Sequence, residues 1–222
     1  MHLVALALLL TTTAPPSPPT QPPTKKTAAP DLPALLEQVR SESFPELVGL
    51  PLHTGTLTSS SVFLQSNFDV VAAAAGVLSL SIDFNERLLI DPPSIEALRA
   101  VLAHELAHSL DYQQRFAVDG AAGLLGLLPM LFWAPAEEEI ERRTDVVAVA
   151  RGFGPGLLAY RVWLYAHIDA AAVTDKRRVY YAPLELALLT TLFARCPEVA
   201  ASAIAVPPKT AREIVALGPG CF

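Results

Sequence analysis

Five residues at 104–108, His-Glu-Leu-Ala-His, impose two demands at once. The segment around them is built of alanine and leucine, which belong in an interior. Yet it carries two imidazoles and a carboxylate, which are costly to bury without partners. On a helix His104 and His108, four residues apart, project from one face about one turn apart. Two neutral imidazoles so placed can bind one Zn2+ at about 2.0–2.1 Å. Glu105 is rotated by roughly 100° from His104. It therefore flanks such a metal instead of ligating it, and can take a proton from water held there. With 5 histidines in 222 residues, composition alone yields this pattern only about 0.006 times per chain.

The surrounding sequence supports a helix from Asp91 or Ser94 to about Gln114, with Leu98, Val101, Leu102 and Leu106 at core spacing. Before it, Leu78, Leu80, Ile82 and Phe84 alternate with polar residues, the period of a strand with one wet face. Residues 48–67 predict one or two further strands, and 87–90 can continue the pairing after a turn at Asn85-Glu86. Asp31 can cap a helix over 32–40. Helices are expected at 137–151, 155–167, 183–195 and 211–217. Strands early and helices late predict an α+β fold.

A catalytic zinc needs a third protein ligand and an open position. No histidine follows at the metzincin spacing, where Asp111 and Gln114 stand instead. The acidic segment 137–148 offers an alternative. Its Glu141 and Asp145 share a helical face, so one carboxylate can ligate while the other accepts the free N–H of a ligand histidine. Glu138, one turn earlier, is the other candidate ligand. Part of this acidic run also suits a helix N-terminus on dipole grounds.

HELAH followed by ERRTD resembles the gluzincin metallopeptidases, in particular the prenyl-protein endopeptidases and heat-shock membrane proteases, whose third ligand opens a Glu-x-x-x-Asp motif. The resemblance rests on these motifs and the strand before the first helix. It implies a zincin-like α+β domain over 31–222, with a small N-terminal sheet, an active-site helix and a mostly helical C-terminal half. It further implies His104, His108 and Glu141 as ligands of Zn2+, Glu105 as general base and Asp145 behind the ligands. Thr144 departs from the pattern, where those families carry alanine. The expected activity is hydrolysis of a peptide or protein substrate, with the strand at 78–84 pairing with an extended peptide. A binding domain that keeps the fold without turnover is the competing expectation, although a structural site has no use for Glu105. For a transition-state stabiliser the candidates are His167, Arg161, Tyr160, Tyr180 and Tyr181, with His167 placed first because it shares a helical face with Tyr160 and Trp163.

Residues 3–10 form an apolar run too short to span a bilayer, followed by small residues. This predicts a signal peptide over 1–14 and export to the cell exterior, periplasm or envelope. The Pro- and Thr-rich stretch 15–30 predicts an extended linker. Export would let Cys196 and Cys221 pair, and two cysteines are too few for a disulfide scaffold. A net charge of −6 and no basic run longer than Lys176-Arg177-Arg178 argue against nucleic acid. The uncharged stretch 120–136 predicts a buried or lid-like hairpin rather than a membrane span, since three glycines and two prolines interrupt it. Peripheral membrane contact through Leu128, Met130, Phe132 and Trp133 is the alternative role for it.

Overall fold

The computed structural model describes residues 30–127 and 133–222. The expected signal segment, nearly all of the linker, and Leu128, Met130 and Phe132 lie outside them.

The order of elements is α1 (Leu32–Ser43), β1 (Leu52–Leu57), β2 (Leu64–Phe68), α2 (Val70–Ala74), β3 (Leu80–Asn85), α3 (Arg87–Ile90), α4 (Ile95–Asp119), α5 (Ala121–Leu125), α6 (Ala134–Ala148), α7 (Gly154–His167), α8 (Ala170–Val179), α9 (Pro183–Arg195), α10 (Ala200–Ala205) and α11 (Ala211–Leu217). This is a mixed α+β chain with a small sheet ahead of a helical half.

The sheet has the order β1-β3-β2, with β1 parallel and β2 antiparallel to β3. The predicted alternation is present: Leu80, Ile82 and Phe84 are buried, while Asp83 on the other face accepts from Asn67 Nδ2 at 2.9 Å. The position of the strand corrects the expectation that it would pair with a peptide. β3 is central and both its edges are occupied, so the edge left open beside α4 belongs to β2. The expected continuation of pairing over 87–90 is also corrected. Asn85 is buried, its Nδ2 donates to the carbonyls of Ser59 and Val62, and its Oδ1 accepts the Arg87 backbone N–H at 3.1 Å. These bonds turn the chain out of the sheet into the short helix α3.

α4 is the axis of the molecule. Ser94 caps it by accepting the Ala97 N–H, and it runs five residues beyond the expected end, to Gly120 with φ 58°. A positive φ suits glycine, which carries no Cβ to clash. Leu98, Leu102 and Leu106 are almost fully buried, each stabilising the fold by about 1.5–3 kcal/mol. This offsets the cost of polar groups on the same helix. α7 packs closely on α4: a Cβ on Gly156 would meet the Glu96 carbonyl and the Ala100 methyl. α6 and β2 cover the other sides of α4.

Residues 170–179, for which the sequence predicts no element, form α8, started by Asp169, whose side chain accepts the Ala172 N–H. Cys196, at the end of α9, is bonded to Cys221 across a separation of 25 residues. Among the described residues no single helix is long and apolar enough to cross a membrane. Of the 120–136 stretch, Leu124 and Leu127 are buried and Leu125 and Trp133 exposed.

Candidate metal centre

The helical period brings His104 and His108 onto one side of α4, with ring centroids 4.9 Å apart. α6, packed across α4, presents Glu141 to both. One oxygen of Glu141 lies 3.1 Å from His104 Nε2 and 3.2 Å from His108 Nε2. The three ligand atoms fall within 4.8 Å of one another, and this buried group can hold a metal ion. Glu138, the other candidate, turns instead to Arg142, 3.2 Å from its Nε.

Asp145 lies one turn beyond Glu141 and is completely buried. His104 Nδ1–H donates to its Oδ1 at 2.8 Å, which directs Nε2 toward Glu141. Arg161 from α7 donates to both oxygens of Asp145 at 3.1 Å, and the Tyr181 backbone N–H adds a bond at 3.3 Å. Thr144, the departure from the resembling families, bonds the carbonyls of Ile140 and Glu141 and stays within its own helix. His108 has no equivalent of Asp145: its Nδ1 is buried without a partner.

Charge in the site is strongly perturbed. Burial works against a charge on His104, but hydrogen bonds to Asp145 and Glu141 outweigh it and push the imidazole up to about 10. Burial also raises Glu141, but the two histidines hold it well below the usual carboxylate range. Glu105 goes the other way. Burial lifts its pKa, and the histidines and the Ser66 amide only partly counter that.

His108 and Glu141 open on a cleft of about 500 Å³. One wall is β2 with Leu64, Ser66 and Phe68, preceded by Val62; the cleft is also lined by Glu105, His108, Glu141, Lys176 and Tyr180. A smaller compartment of about 40 Å³ continues past Glu105 toward His104, Tyr160 and Arg161. Ser66 turns its amide to Glu105 and its carbonyl to the Tyr112 hydroxyl at 3.3 Å. By the alternation of the antiparallel ladder, Leu64 and Phe68 turn their backbone groups away from β3, along this same edge.

His167 is not brought to the cleft. Its ring stacks on Trp163 at 4.3 Å, with Nδ1 against the Trp163 carbonyl at 2.7 Å and Nε2 against Asp91 at 3.0 Å. Of the other candidates Tyr180 lines the cleft, Tyr160 and Arg161 line the inner compartment, and Tyr181 is buried with its hydroxyl on the Pro208 carbonyl. Two cleft residues carry no mark in the motifs. Tyr112 follows His108 by four, so the same helical spacing could have indicated it. Lys176 gives no comparable signal.

Set against known protein families, curated proteins and solved structures, the chain matches none.

Proposed function

We propose that this protein is a zinc-dependent peptidase of the gluzincin type with a zincin-like fold. The observation that carries the proposal is the company Glu105 keeps. Three donors lie close enough to share one ion, and a second carboxylate that is not among them, Glu105, faces the same cleft.

The donor set fits zinc. Two imidazole nitrogens and a carboxylate oxygen are ordinary zinc ligands. Bonds of 2.0–2.1 Å at tetrahedral angles put neighbouring ligand atoms roughly 3.3 Å apart, against the 3.1 and 3.2 Å between Glu141 and the two histidines. Three protein ligands is the count of a catalytic site, whereas structural sites close with four. When bound, zinc acts as a Lewis acid that lowers the pKa of water and polarises a carbonyl.

The chain's own groups supply the rest. His104 is held in one orientation by Asp145, and Asp145 by Arg161. Glu105, its pKa lifted by burial, is suited to accept a proton from the attacking water and deliver it to the leaving amine. The open edge of β2 suits an extended peptide, which would pair with the backbone of Leu64 and Phe68. Tyr180 replaces His167 as the side chain best placed to meet developing negative charge.

We further propose that the protein is exported. The apolar run at 3–10 supports this, as does the Cys196–Cys221 bond, since disulfides persist in oxidising compartments. Metal analysis of the purified chain with a peptide-library digest tests the central proposal. The expected result is one zinc per chain and cleavage that a chelator abolishes. Zinc retained with no peptide cleaved would favour a binding domain.

A further inference from the structure

We propose that Lys176 makes the cleft selective for substrates that present a carboxylate beside the scissile bond. The inference rests on the peptidase reading above.

Three basic residues close α8, where a helix C-terminus favours positive charge. Two of them already have partners. Arg177 lies over the Tyr165 ring, 5.3 Å from its centroid, and Arg178 pairs with Glu137 at 3.2 Å. Lys176 alone lines both the large cleft and the compartment beyond Glu105. Its Nζ stands 5.1 Å from the centroid of the Tyr180 ring.

This ammonium has no anion of its own. Every acidic residue of the chain falls among the described residues, and no carboxylate oxygen lies within 4.0 Å of Lys176 Nζ. Two carboxylates of the same cleft are otherwise engaged, Glu141 by two imidazoles and Glu137 by Arg178. Arg161, the other cation of the compartment, is held by Asp145. A partly desolvated, unpaired cation is a costly arrangement that an incoming anion relieves. Apart from Lys176, His108 and the cleft's carboxylates the lining is uncharged, with Gln65, Ser66, Asn67, Tyr112 and Tyr180 as its neutral polar residues. Lys176 is therefore the one lysine or arginine lining this cleft that a substrate carboxylate can pair with, and it sits within the same pocket as Glu105.

The carboxylate can be an acidic side chain or a free C-terminus. The test uses matched peptides around a site found by the library digest: glutamate against glutamine on either side of the cleaved bond, each with a free or amidated C-terminus. Two quantities are read, kcat/KM on the zinc-loaded chain and peptide affinity by anisotropy on its Glu105→Gln variant, which holds substrate uncleaved. Carboxylate peptides should be preferred by about 10- to 100-fold, the range of a lost charge-assisted hydrogen bond. Lys176→Met should bring that ratio close to one in both measurements, Lys176→Arg should keep most of it, and Arg177→Met should leave it unchanged. Preference for the free acid alone assigns the C-terminus, and preference for internal glutamate alone assigns a side chain. Equal handling of both peptide sets by the wild type, or a preference surviving Lys176→Met, overturns the inference and leaves the peptidase reading standing. Failure of the loaded wild type to bind or cleave any peptide overturns both.

Discussion

Asp145→Asn should destabilise the protein even when no metal is bound. Asp145 is fully buried and accepts from His104, twice from Arg161 and from the Tyr181 backbone. Asparagine keeps the size but removes the charge and turns an NH2 group toward other donors. Arg161, 2% exposed and with its Nε already unpartnered, becomes a buried cation without a counter-ion. Breaking such a pair from one side costs about 3–5 kcal/mol, and at 2–4 °C per kcal/mol for a domain of this size Tm should fall by about 6–20 °C. The assay is urea and thermal unfolding in chelator, so that metal contributes nothing. Arg161→Met in the same background should recover much of the loss, because the stranded charge leaves with it. A loss under about 1 kcal/mol, or a double variant as unstable as the two single losses combined, would refute this account of the pair.

Other outcomes follow from the same geometry. Glu141→Gln should weaken zinc retention sharply while Glu138→Gln should not, read by competition with a chromophoric chelator; equal affinities would remove Glu141 as ligand. Opening Cys196–Cys221, which closes a 25-residue separation, should cost about 3.5 kcal/mol by chain entropy, seen as a lower urea midpoint of the Cys196→Ser/Cys221→Ser protein; an unchanged midpoint would contradict it. In the metal-free protein, folding raises the His104 pKa from 6.5 to about 10. That contribution to stability is fully present below pH 6.5 and is lost as pH rises toward about 10. Zinc must displace the same proton, so its affinity should climb over that window with proton release, measurable by calorimetry in buffers of different ionisation enthalpy.

The helical half of the site was legible because it depends on one period. His104, Glu105 and His108 follow from spacing along α4, and Glu141 with Asp145 from spacing along α6. What spacing cannot supply is how α6 sits on α4, which decides between Glu141 and Glu138. His167 failed for a related reason. It shares a face with Tyr160, but seven residues of helix carry it about 10 Å along the axis, to Asp91 instead of the metal group. The alternation in β3 was visible, while its central place was not, since that is set by a parallel pairing with β1 almost thirty residues earlier. Arg87–Ile90 left the sheet because Asn85 satisfies three backbone groups with its side chain, a tertiary event. In the sequence Lys176 is only one member of the basic run Lys176-Arg177-Arg178, and it is the packing of α8 against the cleft that sets it apart from the other two.

The central claim is that metal holding and proton handling belong to different residues of one cleft. Glu105→Gln tests it most directly, with zinc content and peptide hydrolysis measured on the same preparation. The account predicts one zinc per chain in both proteins and a rate lowered by roughly 10²- to 10⁴-fold in the variant. Hydrolysis at the wild-type rate by Glu105→Gln, or loss of its zinc, would contradict it.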